Sequence, residues 1–99
     1  MVGAVGGIAI AQVDAHEAEG TRPACVVARG EARMQAYGWD HVVVVRNGCA
    51  SRTVCEITTS VNPSPTTVPI APNETRETLM WRGSPARAFS ARVDCEAER

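Results

Sequence analysis

Residues 41–61 have the sequence HVVVVRNGCASRTVCEITTSV. Two runs in this stretch, 41–47 and 53–61, are rich in β-branched residues, which favour strands. The segment between them is short and contains Gly48, as turns between strands often do. The stretch therefore predicts a β-hairpin, and with it an all-β fold.

The predicted hairpin places Cys49 opposite Cys55, at a distance that a disulfide can bridge. In an antiparallel pair, side chains alternate between the two faces, and residues two apart share a face. Val43 and Val45 then lie on the face of the bridge and point to the core.

The opposite face of the same strand carries Val42 and Val44. Two valines on an outer face need a cover. The sequence leaves two alternatives open: residues 30–38 pack over them, or they form part of an exposed contact patch.

Four cysteines in a chain of 99 residues form an even set. In a short exported chain such a set indicates a disulfide framework, and four cysteines allow three pairings. The hairpin register selects Cys49–Cys55, which leaves Cys25 to pair with Cys95. No Cys-x-x-Cys spacing occurs, so neither a zinc site nor a thioredoxin-like redox site is predicted.

Further strands are predicted on both sides of the hairpin, separated by segments rich in Pro, Asn and Gly. In the last strand Phe89, Ala91, Val93 and Cys95 share one face. Six to seven short strands at such spacing indicate a small disulfide-stapled β-sandwich, immunoglobulin-like or similar. The predicted strands outside the hairpin cover residues 24–29, 66–70, 75–82 and 86–95.

Length and composition indicate one globular domain, placed at residues 24–96. Hydrophobic residues make up 44% and charged residues 21%, which is ordinary globular usage. The net charge of −1 argues against a binder of the nucleic-acid backbone, which would carry a basic stripe. All ten basic residues are Arg and none is Lys, which is typical of a GC-rich bacterial genome.

The apolar residues 2–11 end in Ala9-Ile10-Ala11, which resembles the end of a secretory signal peptide. We interpret residues 1–15 as a truncated signal peptide, cleaved after Ala11 or Ala15, and residues 16–23 as a flexible linker. This predicts a secreted, periplasmic or cell-envelope protein. No apolar run reaches 18 residues, so no transmembrane segment is expected in the mature chain.

The sequence offers little catalytic machinery. Asp40 and His41 are neighbours in sequence, but adjacent side chains on a strand point to opposite faces and cannot form a dyad. No serine lies in a Gly-x-Ser-x-Gly elbow, and no phosphate-binding loop is present. We therefore expect no catalytic residue, no metal ligand, no cofactor and no enzymatic activity.

A binding surface is the stronger expectation. Trp39 precedes a strand and is free to contact a ligand, whereas Trp81 has the parity of Leu79 and is predicted to point inward. The turn at residues 82–87 carries an arginine at each end, which suits an anion or carboxylate contact. The candidate binding surface comprises Trp39, Val42, Val44, Arg82 and Arg87.

In segments such as Asn47-Gly48-Cys49, Val54-Cys55 and Ala71-Pro72, this chain resembles a group of short exported proteins from GC-rich bacteria. That group has a similar four-cysteine pattern and carries no assigned activity, so the resemblance implies export and a compact β domain but no site residues. It covers about sixty residues, and its most specific pieces are Val61-Asn62-Pro63 and Arg82-Gly83-Ser84-Pro85-Ala86.

These observations predict a small secreted, non-enzymatic β-sandwich that binds through its surface or serves as an envelope or extracellular structural component. Its expected partner is a protein or polysaccharide at the cell surface or outside the cell. The alternative is a small secreted protease inhibitor that uses the turn at residues 82–87.

Overall fold

The computed structural model describes residues 13–98, which form seven β-strands and no helix. They make two antiparallel sheets, sheet A in the order β1-β2-β3-β6 and sheet B in the order β5-β4-β7. The predicted all-β, disulfide-bonded sandwich is confirmed. Its strand order differs from that of an immunoglobulin domain, in which one sheet contains the first, second, fourth and fifth strands. The strands are β1 (Val13–Glu17), β2 (Val26–Gln35), β3 (Gly38–Asn47), β4 (Thr53–Thr59), β5 (Thr66–Ile70), β6 (Thr75–Ser84) and β7 (Ala91–Ala97).

The hairpin of β2 and β3 runs the length of sheet A. From Val26 to Arg29 the side chains of β2 alternate between buried and exposed, as expected for a strand with one face on the core. β3 buries every residue from Asp40 to Val45, because it lies between β2 and β6 and is covered on both faces. Its four valines therefore form a continuous apolar run, the pattern of a central strand.

The core lies between the two sheets and consists mainly of small and β-branched residues. Val43 and Val45 belong to it, as predicted. β7 contributes alternate residues from one face, as predicted, while Phe89 packs against the core from the loop before β7. The other buried core residues are Ala18, Val26, Ala28, Cys55, Ile57, Val68, Ile70, Met80, Ala91, Val93 and Cys95.

The predicted hairpin between residues 41–47 and 53–61 is wrong. β3 pairs with β2 and β6 in sheet A, whereas β4 pairs with β5 and β7 in sheet B. Residues 48–52 therefore carry the chain from one sheet to the other instead of turning it back. Residue composition predicts that both segments are strands, but it does not distinguish a turn within one sheet from a connection between sheets.

The predicted disulfide pairing depended on that hairpin and is also wrong. The bridges are Cys25–Cys49 and Cys55–Cys95, not Cys49–Cys55 and Cys25–Cys95. Cys55 lies directly opposite Cys95 in the register of β4 and β7. Cys25 and Cys49 lie just beyond the open end of the β2–β3 hairpin, where the Gly48 amide donates to the Cys25 carbonyl.

Both bridges thus join neighbouring strands of one sheet, and neither links the two sheets. Cys55 and Cys95 are buried, whereas Cys25 is exposed and Cys49 is only half-buried. Disulfide exchange requires a thiolate to reach the sulfur atoms, so solvent access separates the two bridges.

We expect mild reduction of the native protein to open Cys25–Cys49 before Cys55–Cys95. Limited treatment with a thiol reductant, followed by alkylation and peptide mapping, should first label Cys25 and Cys49. Addition of denaturant should then expose the second bridge to the reagent. Simultaneous labelling of all four cysteines in native buffer would contradict the expected order.

The predicted linker at residues 16–23 is also wrong. Residues Val13–Glu17 form β1, which pairs with β2 from Val13 opposite Arg33 to Glu17 opposite Arg29. Ala18 is buried, and Glu19 makes a parallel bridge to β7 at Arg92. The domain thus includes residues assigned to the leader and linker; residues 1–12 of the predicted signal peptide lie outside the described chain.

The buried side chain of Asn47 ties the two sheets together at the end of β3. Its amide nitrogen donates to the carbonyl oxygens of Ser51 and Ile70, each at 3.0 Å. Its oxygen accepts the Cys49 amide at 2.9 Å. Because Ile70 belongs to β5, this single side chain connects sheet A to sheet B and holds the connection between them.

Candidate functional site

Three of the four aromatic residues gather at one end of sheet A, around the turn between β2 and β3. Tyr37 and Trp81 are 53% and 44% exposed, and Met34 beside them is 55% exposed. Two exposed arginines lie over aromatic rings at the same end. We call this region the hairpin end and define it as Met34, Tyr37, Trp39, Trp81, Arg82 and Arg87.

One face of the hairpin end is organised by the buried carboxylate of Asp40. It accepts the Tyr37 hydroxyl at 3.0 Å and the Gly83 amide at 3.0 Å. Partial desolvation and the bond to Asp40 raise the pKa of Tyr37, so its hydroxyl remains a donor. The Arg82 guanidinium carbon lies 5.9 Å from the centroid of the Tyr37 ring.

Close backbone approach at this end depends on two glycines. A side chain at Gly38, where φ is 130°, would meet the backbone of Gly83 and Ser84 at 2.9–3.0 Å. A side chain at Gly83, where φ is 69°, would press on the Tyr37 ring at 3.1 Å. These glycines allow the β2–β3 turn to lie directly against the end of β6.

The other face of the hairpin end carries Trp39, which is adjacent to Asp40 on β3 and so points the opposite way. The Arg87 guanidinium lies 5.3 Å from the Trp39 ring centroid and forms an ion pair with Asp14 at 3.3 Å. Met34 is the register partner of Trp39 and shares this face.

The structure brings together part of the predicted binding surface. Trp39 and Arg87 are in contact, and Arg82 lies at the same end of the sheet on the other face. Trp81 was predicted to point inward but is exposed, since it lies on the edge strand β6, where a register shift interrupts the pairing with β3. Arg82 belongs to β6 rather than to a projecting turn.

Val42 and Val44 do not belong to this surface, because they are only 6% and 2% exposed. Their cover comes from β2 and β6 on either side. Arg33 of β2 reaches across β3 to Glu77 of β6, with 3.0 Å between the charged groups, and so passes over the outer face of the valines. Internal cover by residues 30–38 is therefore the alternative that the structure supports.

That ion pair belongs to a network centred on the buried carboxylate of Glu31. Arg29 and Arg33 contact its two oxygens at 2.6 and 2.8 Å. Burial alone raises the pKa of Glu31, but the hydrogen bonds and positive charges of the two arginines outweigh it and lower the pKa below its usual value. The Arg33 contact likewise lowers the pKa of Glu77.

A carboxylate whose pKa is lowered in the folded state stabilises the protein at pH values above its pKa in the unfolded state, which is 4.5 for Glu31. This contribution is lost as the pH falls through the lowered pKa of the folded state. We expect stability to decline below about pH 4.5. The free energy of unfolding of Glu31→Gln should be about 1–2 kcal/mol lower at pH 7, and it should decline less steeply at acid pH than that of wild type. Urea titrations between pH 7 and pH 3 measure the free energy of unfolding of both proteins. The same decline at acid pH in the variant as in wild type would contradict the prediction.

Both histidines of the chain contact Phe89, a feature that the sequence did not reveal. The His41 ring stacks on Phe89 with centroids 4.1 Å apart, and His16 meets it edge-on at 4.9 Å. His41 Nε2 lies 2.7 Å from the Ala86 carbonyl oxygen and donates to it, since a carbonyl only accepts. The sequence assigns His16 to the flexible linker at residues 16–23, so it does not predict this anchor for the loop before β7.

The outer face of sheet B forms a shallow acidic groove of about 350 Å³. Glu56 and Asp94 lie directly opposite each other on β4 and β7, and Glu96 follows on the same face. Asp94 is held by the Thr21 amide and Arg92, which lower its pKa. Within residues 13–98 no group of three or more His, Cys, Asp or Glu side chains is arranged to hold a metal ion.

Comparisons with protein-family models, with curated proteins and with solved structures find no match for the chain. Residues 13–98 contain no helix that could span a membrane.

Proposed function

We propose that the protein is a secreted, non-enzymatic binding module of the cell envelope or extracellular space, and that the hairpin end makes the contact. The observation that supports this most directly is the exposure of Tyr37, Trp81 and Met34 beside two arginines. Trp, Tyr, Met and Arg are enriched in the energetically dominant parts of binding surfaces.

The rigidity of this surface supports the same proposal. Asp40 holds Tyr37 and the Gly83 backbone in place, and Arg87 is oriented by both Trp39 and Asp14. Aromatic side chains that are already ordered lose little conformational entropy when they bind a partner.

Export is supported by the two disulfides, which are compatible with an oxidising compartment. Of the two predicted cleavage positions, the one after Ala11 leaves β1 intact. Cleavage after Ala15 would remove three of the five residues of β1 and their pairing with β2. We therefore favour a mature chain that begins at Gln12.

Binding of the purified, oxidised protein to washed cell envelopes of its native host tests the proposal. The double variant Met34→Ser/Tyr37→Ser should bind at least tenfold more weakly, since each exposed side chain contributes apolar area to the contact. Val27→Ser is the matched control, because Val27 is equally apolar and exposed but lies at the far end of β2. Equal binding by wild type and double variant would contradict the proposal.

A further inference from the structure

We propose that the hairpin end enters the interfacial layer of a membrane that carries anionic lipid headgroups. This inference rests on the proposed function, because it names the partner of the same residues.

Apolar and aromatic groups occupy both faces of the hairpin end. Tyr37 lies on the face of Asp40, whereas Met34 and Trp39 lie on the opposite face. A protein or polysaccharide docked on the outer face of sheet A would contact only the first of these groups. A lipid interface can surround the end of a sheet and cover both groups at once.

The exposed residues also follow the order that an interface requires. Tyr37 lies in the turn and Met34 is two residues from it, at about 3.3 Å per strand residue, so both lie within about 7 Å of the turn, a depth reached by apolar groups at the headgroup boundary. Trp39 is the register partner of Met34 and lies at the same level, whereas Trp81 is opposite His41 and lies about two residues further from the turn. Tryptophan and tyrosine prefer the level of the headgroups, where one part of the ring is apolar and another is wet.

The charge of the hairpin end is complementary to anionic headgroups. Arg82 lies over Tyr37 on one face, and Arg87 lies over Trp39 on the other. Within residues 13–98 Arg82 has no ion-pair partner, while the Asp40 carboxylate is buried under hydrogen bonds. Arg87 is paired with Asp14, so among the described residues Arg82 is the guanidinium at this end that is left for an external anion, and a phosphate is a ligand that guanidinium binds well.

The test uses the full chain with intact disulfides and two kinds of vesicle, phosphatidylcholine alone and an equal mixture of phosphatidylcholine and phosphatidylglycerol. Co-sedimentation gives the partition coefficient. Fluorescence gives a second readout, since Trp39 and Trp81 are the only tryptophans and their emission shifts to the blue as they leave water.

We expect binding to the mixed vesicles, weak binding to phosphatidylcholine alone, and a loss of affinity as salt is added. Arg82→Gln should bind about fivefold more weakly, the effect of one guanidinium near an anionic surface. Met34→Ser/Tyr37→Ser should bind at least tenfold more weakly and should show no blue shift. The controls Val27→Ser and Arg52→Gln, at the other end of the molecule, should bind like wild type.

Three results would overturn the inference. Equal binding to both kinds of vesicle would remove the role of anionic lipid. Binding unaffected by the double variant would assign the contact to another part of the chain, such as the apolar residues 2–11 that every variant retains. Absence of vesicle binding, while envelope binding still requires Met34 and Tyr37, would leave the proposed function standing with a protein or polysaccharide as its partner.

Discussion

Replacement of Asn47 by aspartate should destabilise the protein by about 3–5 kcal/mol at pH 7. The two carbonyl oxygens of Ser51 and Ile70 would then face a carboxylate instead of the amide that donates to both. The site is fully buried, so water cannot replace the lost donors. Since the folded state of a small domain is stable by about 5–15 kcal/mol, the variant should be close to unfolding at 37 °C.

The charge gives this prediction a signature that a cavity would not show. Protonation of the new carboxyl group restores one donor and removes the buried charge, so the loss in Asn47→Asp should shrink as the pH falls. Asn47→Ala should lose about 3 kcal/mol with little dependence on pH.

Urea unfolding followed by circular dichroism measures both variants, and Asn73→Asp is the matched control. Asn73 is exposed in the turn before β6 with φ of 65°, a conformation that aspartate also tolerates. A midpoint for Asn47→Asp equal to that of wild type would show that the hydrogen bonds of Asn47 do not hold the sheets together.

Removal of the buried bridge by Cys55→Ala/Cys95→Ala should destabilise the protein by about 5 kcal/mol. The bridge closes a sequence separation of 40 residues, for which the chain-entropy relation gives about 4 kcal/mol. Loss of two buried sulfur atoms from the core adds about 1 kcal/mol. Cys25→Ala/Cys49→Ala should lose about 3 kcal/mol, since that bridge spans 24 residues and its cysteines are more exposed.

Thermal unfolding of the two double variants and of wild type, without reductant so that the remaining disulfides stay intact, tests the difference. We expect the variant without Cys55–Cys95 to unfold at the lower temperature. A larger loss of stability in the variant without Cys25–Cys49 would indicate that the bridge at the open end of the β2–β3 hairpin contributes more to stability than the bridge between β4 and β7.

The sequence predicted the class of fold because strand formation depends on local properties. The β-branched run at residues 41–47 lies in β3, the run at 53–61 contains β4 and extends two residues beyond its end, and β5 has the predicted bounds at Thr66 and Ile70. Alternation in the last segment correctly placed Ala91, Val93 and Cys95 in the core. Each of these predictions needs only the side-chain preferences of a strand and its period of two.

The pairing of strands could not be predicted in the same way, because partners are selected by the packing of whole sheets. The connection at residues 48–52 has the length of a turn and the composition of a turn, yet it joins two sheets. Both errors in the disulfides follow from that one connection. Val43 and Val45 are nevertheless buried as expected, since β3 is central and buries residues of either parity.

The candidate site shows the same division. Sequence alone singled out Trp39, Arg82 and Arg87 from the types and the scarcity of aromatic and charged residues near turns. Only the tertiary structure removed Val42 and Val44 from that surface, by covering them with the Arg33–Glu77 ion pair, and added Tyr37 and Met34 to it.

What the sequence by itself determined is therefore which segments are strands, that one small domain forms, and which residue types can make a contact. The tertiary structure decided which strands are neighbours, which cysteines meet, and that β1 belongs to the domain. The reason is physical: local preference acts over a few residues, whereas β4 meets β7 and Glu19 meets Arg92 across long separations, where only the packing of the complete sandwich selects the partner.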